Sequence, residues 1–140
     1  MSQELIDTIN QNPPGWLRAL ELVITSASVD EVTAEWTVTE KQHQGYGIVH
    51  GGVHSSVIET LASLGAALVA MPRKQRVVGL ENHTSFIRGV REGKLRAVAR
   101  PVTRGRSSQV WEAWIRDADN RLVAQGSVRL LCIPEDQQFG

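Results

Sequence analysis

The stretch Gln44–Ala70, QGYGIVHGGVHSSVIETLASLGAALVA, decides the fold. It opens as a glycine-punctuated loop, Gly45-Tyr46-Gly47-Ile48-Val49-His50-Gly51-Gly52, and continues as an apolar segment with no proline until Pro72. The adjacent Gly51 and Gly52 allow a sharp turn and close approach by another molecule, since neither carries a Cβ. After them Val53, Val57, Ile58, Leu61, Leu64, Ala66, Ala67 and Leu68 cover most of a helical circumference. A helix that is apolar nearly all round is a buried one. At about 1.5 Å per residue, Val53 to Ala70 spans about 27 Å, the width of a small domain.

One acid sits on that cylinder, Glu59, and Ser55, Glu59 and Ser63 share a face at i, i+4 and i+8. Desolvating an unpaired carboxylate costs several kcal/mol, so a buried Glu59 is expected to have a purpose. At the helix start, free N–H groups of Gly51 and Gly52 point outward, where the dipole favours negative charge. A polarising corner followed by a carboxylate two to three turns along makes a candidate active site.

Fifteen basic and fifteen acidic side chains balance, which removes any bulk electrostatic case for nucleic acid or an anionic membrane. The lone cysteine, Cys132, excludes an internal disulfide framework and suits a reducing compartment; its apolar setting reads as a core thiol. MSQELIDTINQNPPG has neither the basic start nor the apolar stretch of a signal peptide. The apolar run Leu61–Met71 is too short to cross a bilayer. A cytoplasmic protein with no membrane partner is expected.

Outward from the helix, the rest of the chain reads as strands. Residues 3–11 form a short amphipathic helix stopped by Asn12-Pro13-Pro14-Gly15, and Trp16–Leu20 adds a turn. Leu22–Val29 and Val32–Thr39 are strands joined at Asp30-Glu31; in the second, Val32, Ala34, Trp36 and Val38 alternate with polar residues. Four further strands are expected over Val77–Arg88, Lys94–Thr103, Ser108–Asp117 and Arg121–Ile133, the last pair joined by Asp117-Ala118-Asp119-Asn120. The tail, residues 134–140, is polar and expected to fray. One domain over residues 1–140 follows, an α+β antiparallel six-stranded sheet wrapped around one long central helix.

His50-Gly51-Gly52, with Gln44 six positions before the histidine and Glu59 nine after it, resembles the hotdog-fold acyl-CoA thioesterases. The nearest likeness is to the phenylacetyl-CoA thioesterase-like group, with the 4-hydroxybenzoyl-CoA thioesterases that use a helical glutamate and the 1,4-dihydroxy-2-naphthoyl-CoA thioesterases. Val78-Gly79-Leu80-Glu81, Arg91-Glu92-Gly93 and Gly105-Arg106-Ser107-Ser108-Gln109-Val110-Trp111 extend it over nearly the whole chain after the first helix. The resemblance implies a hotdog fold and a dimer, or dimer of dimers, with active sites at the dimer interface. It implies that the Gly51 N–H polarises the thioester carbonyl, that His50 orients the loop and that Gln44 positions the thioester or water. Glu59, supplied across the interface, would be nucleophile or general base, with Ser63 assisting. Arg88, Arg104, Arg106, Ser107 and Ser108 match segments that meet CoA, whose phosphates suit arginine and hydroxyl donors. CoA is part of the substrate, so no separate cofactor is implied. The menaquinone branch places a histidine where this chain has Phe86, with His83 nearby, which leaves the acyl pocket unassigned.

The chemistry agrees, because a thioester is already activated and needs mainly an oxyanion donor and a base or nucleophile. Blander readings exist. Glu59 at a subunit contact, Gln44 as an ordinary loop residue and solvated arginines are the structural alternatives. His50 and His54 lie at zinc-ligand spacing, but Gly51-Gly52 places His50 ahead of the helix, so no metal is expected. A non-catalytic acyl-CoA-binding hotdog protein is the functional alternative, and a hotdog hydratase would show an Asp/His pair that is absent. Trp111 and Trp114 fall on opposite sheet faces.

Overall fold

The structure is a computed structural model that describes residues 2–139. Two short helices, α1 (Ser2–Gln11) and α2 (Gly15–Leu20), lead into the hairpin β1 (Val23–Ala27) and β2 (Val32–Thr37). The long helix α3 (Gly51–Ala70) follows, then β3 (Gln75–Phe86), β4 (Lys94–Arg104), β5 (Ser108–Arg116) and β6 (Leu122–Pro134). The strands form one antiparallel sheet in the order β1-β2-β4-β5-β6-β3, so α3 carries the chain from β2, next to one edge, to β3 at the other. β1 and β3 are left as edges. The fold is the expected hotdog.

Strand alternation sets the core. Val32, Ala34 and Trp36 of β2, Leu95, Ala97 and Ala99 of β4, and Trp111, Ala113 and Ile115 of β5 face the helix and are buried. Small residues in β4 let α3 lie close, while Trp111 fills the space over Gly65. A Cβ on Gly65 would stand 2.3 Å from the Trp111 ring, so glycine is required there by contact rather than by backbone angle. Each buried indole has a glutamine on its N–H: Trp111 Nε1 donates to Gln109 Oε1 at 3.0 Å, and Trp36 Nε1 to Gln42 Oε1 at 3.2 Å. Those glutamines in turn donate to the carbonyls of Ala66 and Leu20. The buried polar atoms of these two Trp–Gln pairs are thereby satisfied, as low-dielectric surroundings demand. Trp114 faces the other side of the sheet, half-buried.

Beyond the end of β6 at Pro134 the tail still touches the body: Glu135 N–H donates to Lys74 O at 3.0 Å, and the Arg76 guanidinium lies 4.6 Å from the centre of the Phe139 ring. Residue 140 of the tail lies outside the described residues. Continued by a 3-10 turn to Arg73, the central helix has the length and apolarity to cross a membrane. Its apolar surface is instead largely buried against the sheet, leaving one polar stripe uncovered.

Candidate active site

That stripe is where the chemistry sits. Gly52, Ser55, Ser56, Glu59, Thr60 and Ser63 are exposed or half-buried, whereas Val57, Ile58, Leu61 and Ala62 beneath them are fully buried. The expected burial of Glu59 is not found: its carboxylate is exposed in the single chain. Counting apolar residues around α3 overstates burial, because the stripe faces away from the sheet and the N-terminal helices flank it only across an open groove. Glu59 is nevertheless positioned. Asn82 of β3 donates from Nδ2 to Glu59 Oε2 at 3.2 Å and to Ser55 O at 3.0 Å, tying carboxylate and helix to the edge strand. Gly79 lies beside it; a Cβ there would meet Oε1 at 3.4 Å, about ordinary contact.

At the helix start, His50 is the N-cap. Its Nδ1 accepts the Gly52 N–H at 2.8 Å, which fixes that nitrogen as unprotonated in this arrangement. Val53 N–H returns to His50 O at 2.9 Å. The Gly51 N–H between them has no acceptor among the described residues. It is an uncommitted donor at the positive end of a 20-residue helix. The Phe86 ring lies against this corner, so close that a Cβ on Gly51 would meet it at 2.6 Å.

The loop before the cap is held from outside. Arg91 donates to Tyr46 O at 2.9 Å, His43 Nε2 meets Arg91 O at 2.7 Å, and Val49 N–H donates to Val90 O at 2.8 Å. Gln44 shapes the turn: its side-chain oxygen accepts the Tyr46 N–H and its backbone N–H donates to Ile48 O at 2.8 Å. Within one chain Gln44 makes no hydrogen bond to Glu59.

Ser63 stands one turn beyond Glu59, and both line a groove of about 480 Å³ between α3 and the N-terminal helices. A larger cleft, of about 780 Å³, lies around Trp114 on the opposite sheet face and holds none of these residues. The arginines expected to act together do not lie together. Arg104 and Arg106 line a cleft with Arg73 near the C-terminal end of α3, with Ser107 in the adjoining turn and Ser108 opening β5. Arg88 follows Phe86 at the N-terminal end. Arg104 is also engaged by Asp30 at 2.7 Å.

Asn82, Phe86 and Trp16 border the site without having been picked out as site residues. Asn82 carried a signal, since asparagine is depleted from strand interiors. Phe86 and Trp16 reach the helix only through tertiary contacts that no local spacing encodes.

Comparison with known proteins identifies the family and the fold. Residues 46–124 match the family model described as Thioesterase superfamily. A Mycobacterium tuberculosis protein named "Putative esterase" is 39% identical over 113 residues, covering 79% of this chain and 81% of its own. The crystal structure of a Haemophilus influenzae thioesterase superposes with a TM-score of 0.87 at 28% identity, covering 100% of this chain and 95% of that one. A Pseudomonas aeruginosa thioesterase, solved as a mutant, gives 0.85 at 25% identity, with 94% and 93% covered. With more than half its length matched by that family model, the chain belongs to the thioesterase superfamily.

Proposed function

We propose that this thioester hydrolase cleaves an aryl- or medium-chain acyl-CoA to the free acid and CoA. The observation that carries the reading is the uncommitted Gly51 N–H at a capped helix terminus, on the same helix as an open, strand-held Glu59. A carbonyl oxygen on Gly51 gains a donor aimed at its developing negative charge. Glu59 then takes a proton from water as the water adds to the carbonyl carbon, the C–S bond breaks, and the proton passes to the leaving thiolate. Alternatively Glu59 itself adds, expels the thiolate, and the resulting anhydride is opened by water. His50 keeps the corner in shape, Gln44 positions thioester or water, and Ser63 assists the carboxylate. No cofactor is needed beyond the CoA of the substrate.

Gly51 and Glu59 are eight residues apart, about 12 Å along the helix axis. Reacting atoms must come within about 3–3.5 Å, and Asn82 holds Glu59 over β3 rather than toward Gly51. A site made from two chains removes the gap. β3 is a free edge of 12 residues without proline, with Val78 and Leu80 exposed, and would take a second β3 antiparallel to it. Pairing about its middle would set the Arg88 end of one chain beside the Arg73 and Arg106 end of the other. The two arginine groups then form one rim for the CoA phosphates. The buried Cys132 thiol suits a reducing compartment, and the cytoplasm is the proposed location.

The test is thiol release from benzoyl-, phenylacetyl-, hexanoyl- and palmitoyl-CoA by wild type and Glu59→Gln. Turnover should fall about 10²- to 10⁴-fold in the variant while acyl-CoA binding, read by calorimetry, persists. Turnover retained by Glu59→Gln removes Glu59 from the mechanism. Binding without turnover in wild type would make the protein an acyl-CoA binder instead.

A further inference from the structure

An exposed glutamate has several staggered rotamers open to it, so a carboxylate that reacts in one geometry has to be held there. Asn82 does the holding, and its own orientation is fixed in turn. Its Nδ2 faces two acceptors, Glu59 Oε2 at 3.2 Å and Ser55 O at 3.0 Å. On its other side Thr84 Oγ1 donates to Asn82 Oδ1 at 2.6 Å. An amide turned end for end would set its oxygen against the two acceptors and lose both bonds, so its partners decide which end is which. Glu59 is thereby anchored by Oε2 alone; Oε1 has no hydrogen bond among the described residues.

The strand breaks its own alternation to bring this about. Gly79 pairs with Leu130 and Glu81 with Arg129, which leaves Leu80 as an extra residue, a β-bulge. Before the bulge Val77 packs on the core and Gly79 against Glu59; after it Asn82 reaches Ser55. The helix-facing set thus changes from odd to even numbers, and Glu81 is sent outward to the Arg129 guanidinium at 3.3 Å. On the neighbouring strand Thr84 is paired with Gly126, where a Cβ would stand 2.6 Å from Oγ1. The hydroxyl keeps its place because β6 carries glycine at that point.

Resting on the reading of Glu59 as the reacting acid, we infer that Asn82 is the positioning residue for its carboxylate and that Thr84 locks the Asn82 amide in the orientation the reaction needs. Both act through Glu59. One carboxylate oxygen is tied to β3, and the other is left for the proton of water or for the carbonyl carbon.

The readout is kcat against KM, for whichever of the four acyl-CoAs above wild type turns over best. Asn82→Ala should lower kcat about 10- to 100-fold with KM little changed, the effect of misplacing a reacting group by about 1 Å. Thr84→Val keeps the shape without the hydroxyl and should lower kcat about threefold to tenfold, whereas Thr84→Ser should keep it. Coupling separates positioning from support of the fold. With Asn82 already alanine, Thr84→Val should cost kcat nothing more, and with Glu59 already glutamine, neither should Asn82→Ala. A loss confined to KM overturns the inference, and so does a loss repeated in full in the Glu59→Gln background. The side-chain NH2 signals of Asn82 in NMR spectra should also move in Thr84→Val and in Glu59→Gln; signals that stay put in both overturn the relay. Turnover retained by Glu59→Gln sinks the catalytic reading and this role with it. Turnover lost in Glu59→Gln but kept in Asn82→Ala sinks this role alone.

Discussion

His54 carries an imidazole into the core between Trp36 and Phe86, with ring centres 6.5 and 6.4 Å away, and its Nδ1 has no hydrogen-bond partner. Burial disfavours the charged ring and lowers its pKa from 6.5 to about 4. The unfolded chain therefore binds this proton first as pH falls. The stability that neutral His54 permits is complete above about pH 6.5 and is lost progressively down to about pH 4. The loss amounts to about 3 kcal/mol, an order-of-magnitude figure. Urea unfolding at pH 7.5 and pH 4.5 should show most of that drop in wild type. His54→Leu, of similar bulk and without the titration, should show a drop smaller by that amount, and equal drops in the two proteins would refute the assignment. Asp117 does not confuse this window. The Arg121 N–H on its carboxylate holds its pKa below 3.8, so its own contribution is lost only at lower pH.

At the scale of elements, α3 fills the sheet and presents Glu59, and in the proposed mechanism its N-terminus receives the thioester oxygen. That last role depends on His50 as cap. His50→Ala removes the acceptor for Gly52 N–H and should cost about 1 kcal/mol in thermal or chemical unfolding, whereas His50→Asn, itself a good cap, should cost much less. Catalysis should follow the same order if orientation of Gly51 is the role of His50. An Asn variant as inactive as Ala would show that the imidazole does more than cap. Elements of this kind were legible from sequence: apolar periodicity placed α3 within two residues, and alternation together with turn signals placed the six strands. The Gln44, Gly51 and Glu59 set was read through the family resemblance, not through periodicity. The openness of Glu59 was not legible, because burial depends on which faces of a helix other elements cover. Nor was the separation of Arg88 from Arg104 and Arg106, since loops far apart in sequence give no sign of which end of α3 they reach.

For the whole molecule, the issue is whether one chain holds a complete site. The open stripe on α3, the free β3 edge and the 12 Å between Gly51 and Glu59 all point to a site shared by two chains. Subunit mixing decides it. Gly51→Pro deletes the N–H donor at a first helical position where proline's fixed φ is tolerated, and the exposed Phe86 ring beside it has room to move. Loss of such a donor should lower kcat about 10²- to 10³-fold. Glu59→Ala deletes the acid. If each site takes Gly51 from one chain and Glu59 from the other, a hybrid dimer has one site with both groups intact and one lacking both. Unfolding and refolding an equal mixture makes about half the dimers hybrid, so about a quarter of wild-type activity should return from two nearly inactive proteins. If both groups serve one site from the same chain, every site in every hybrid lacks one of them, and mixing should restore nothing.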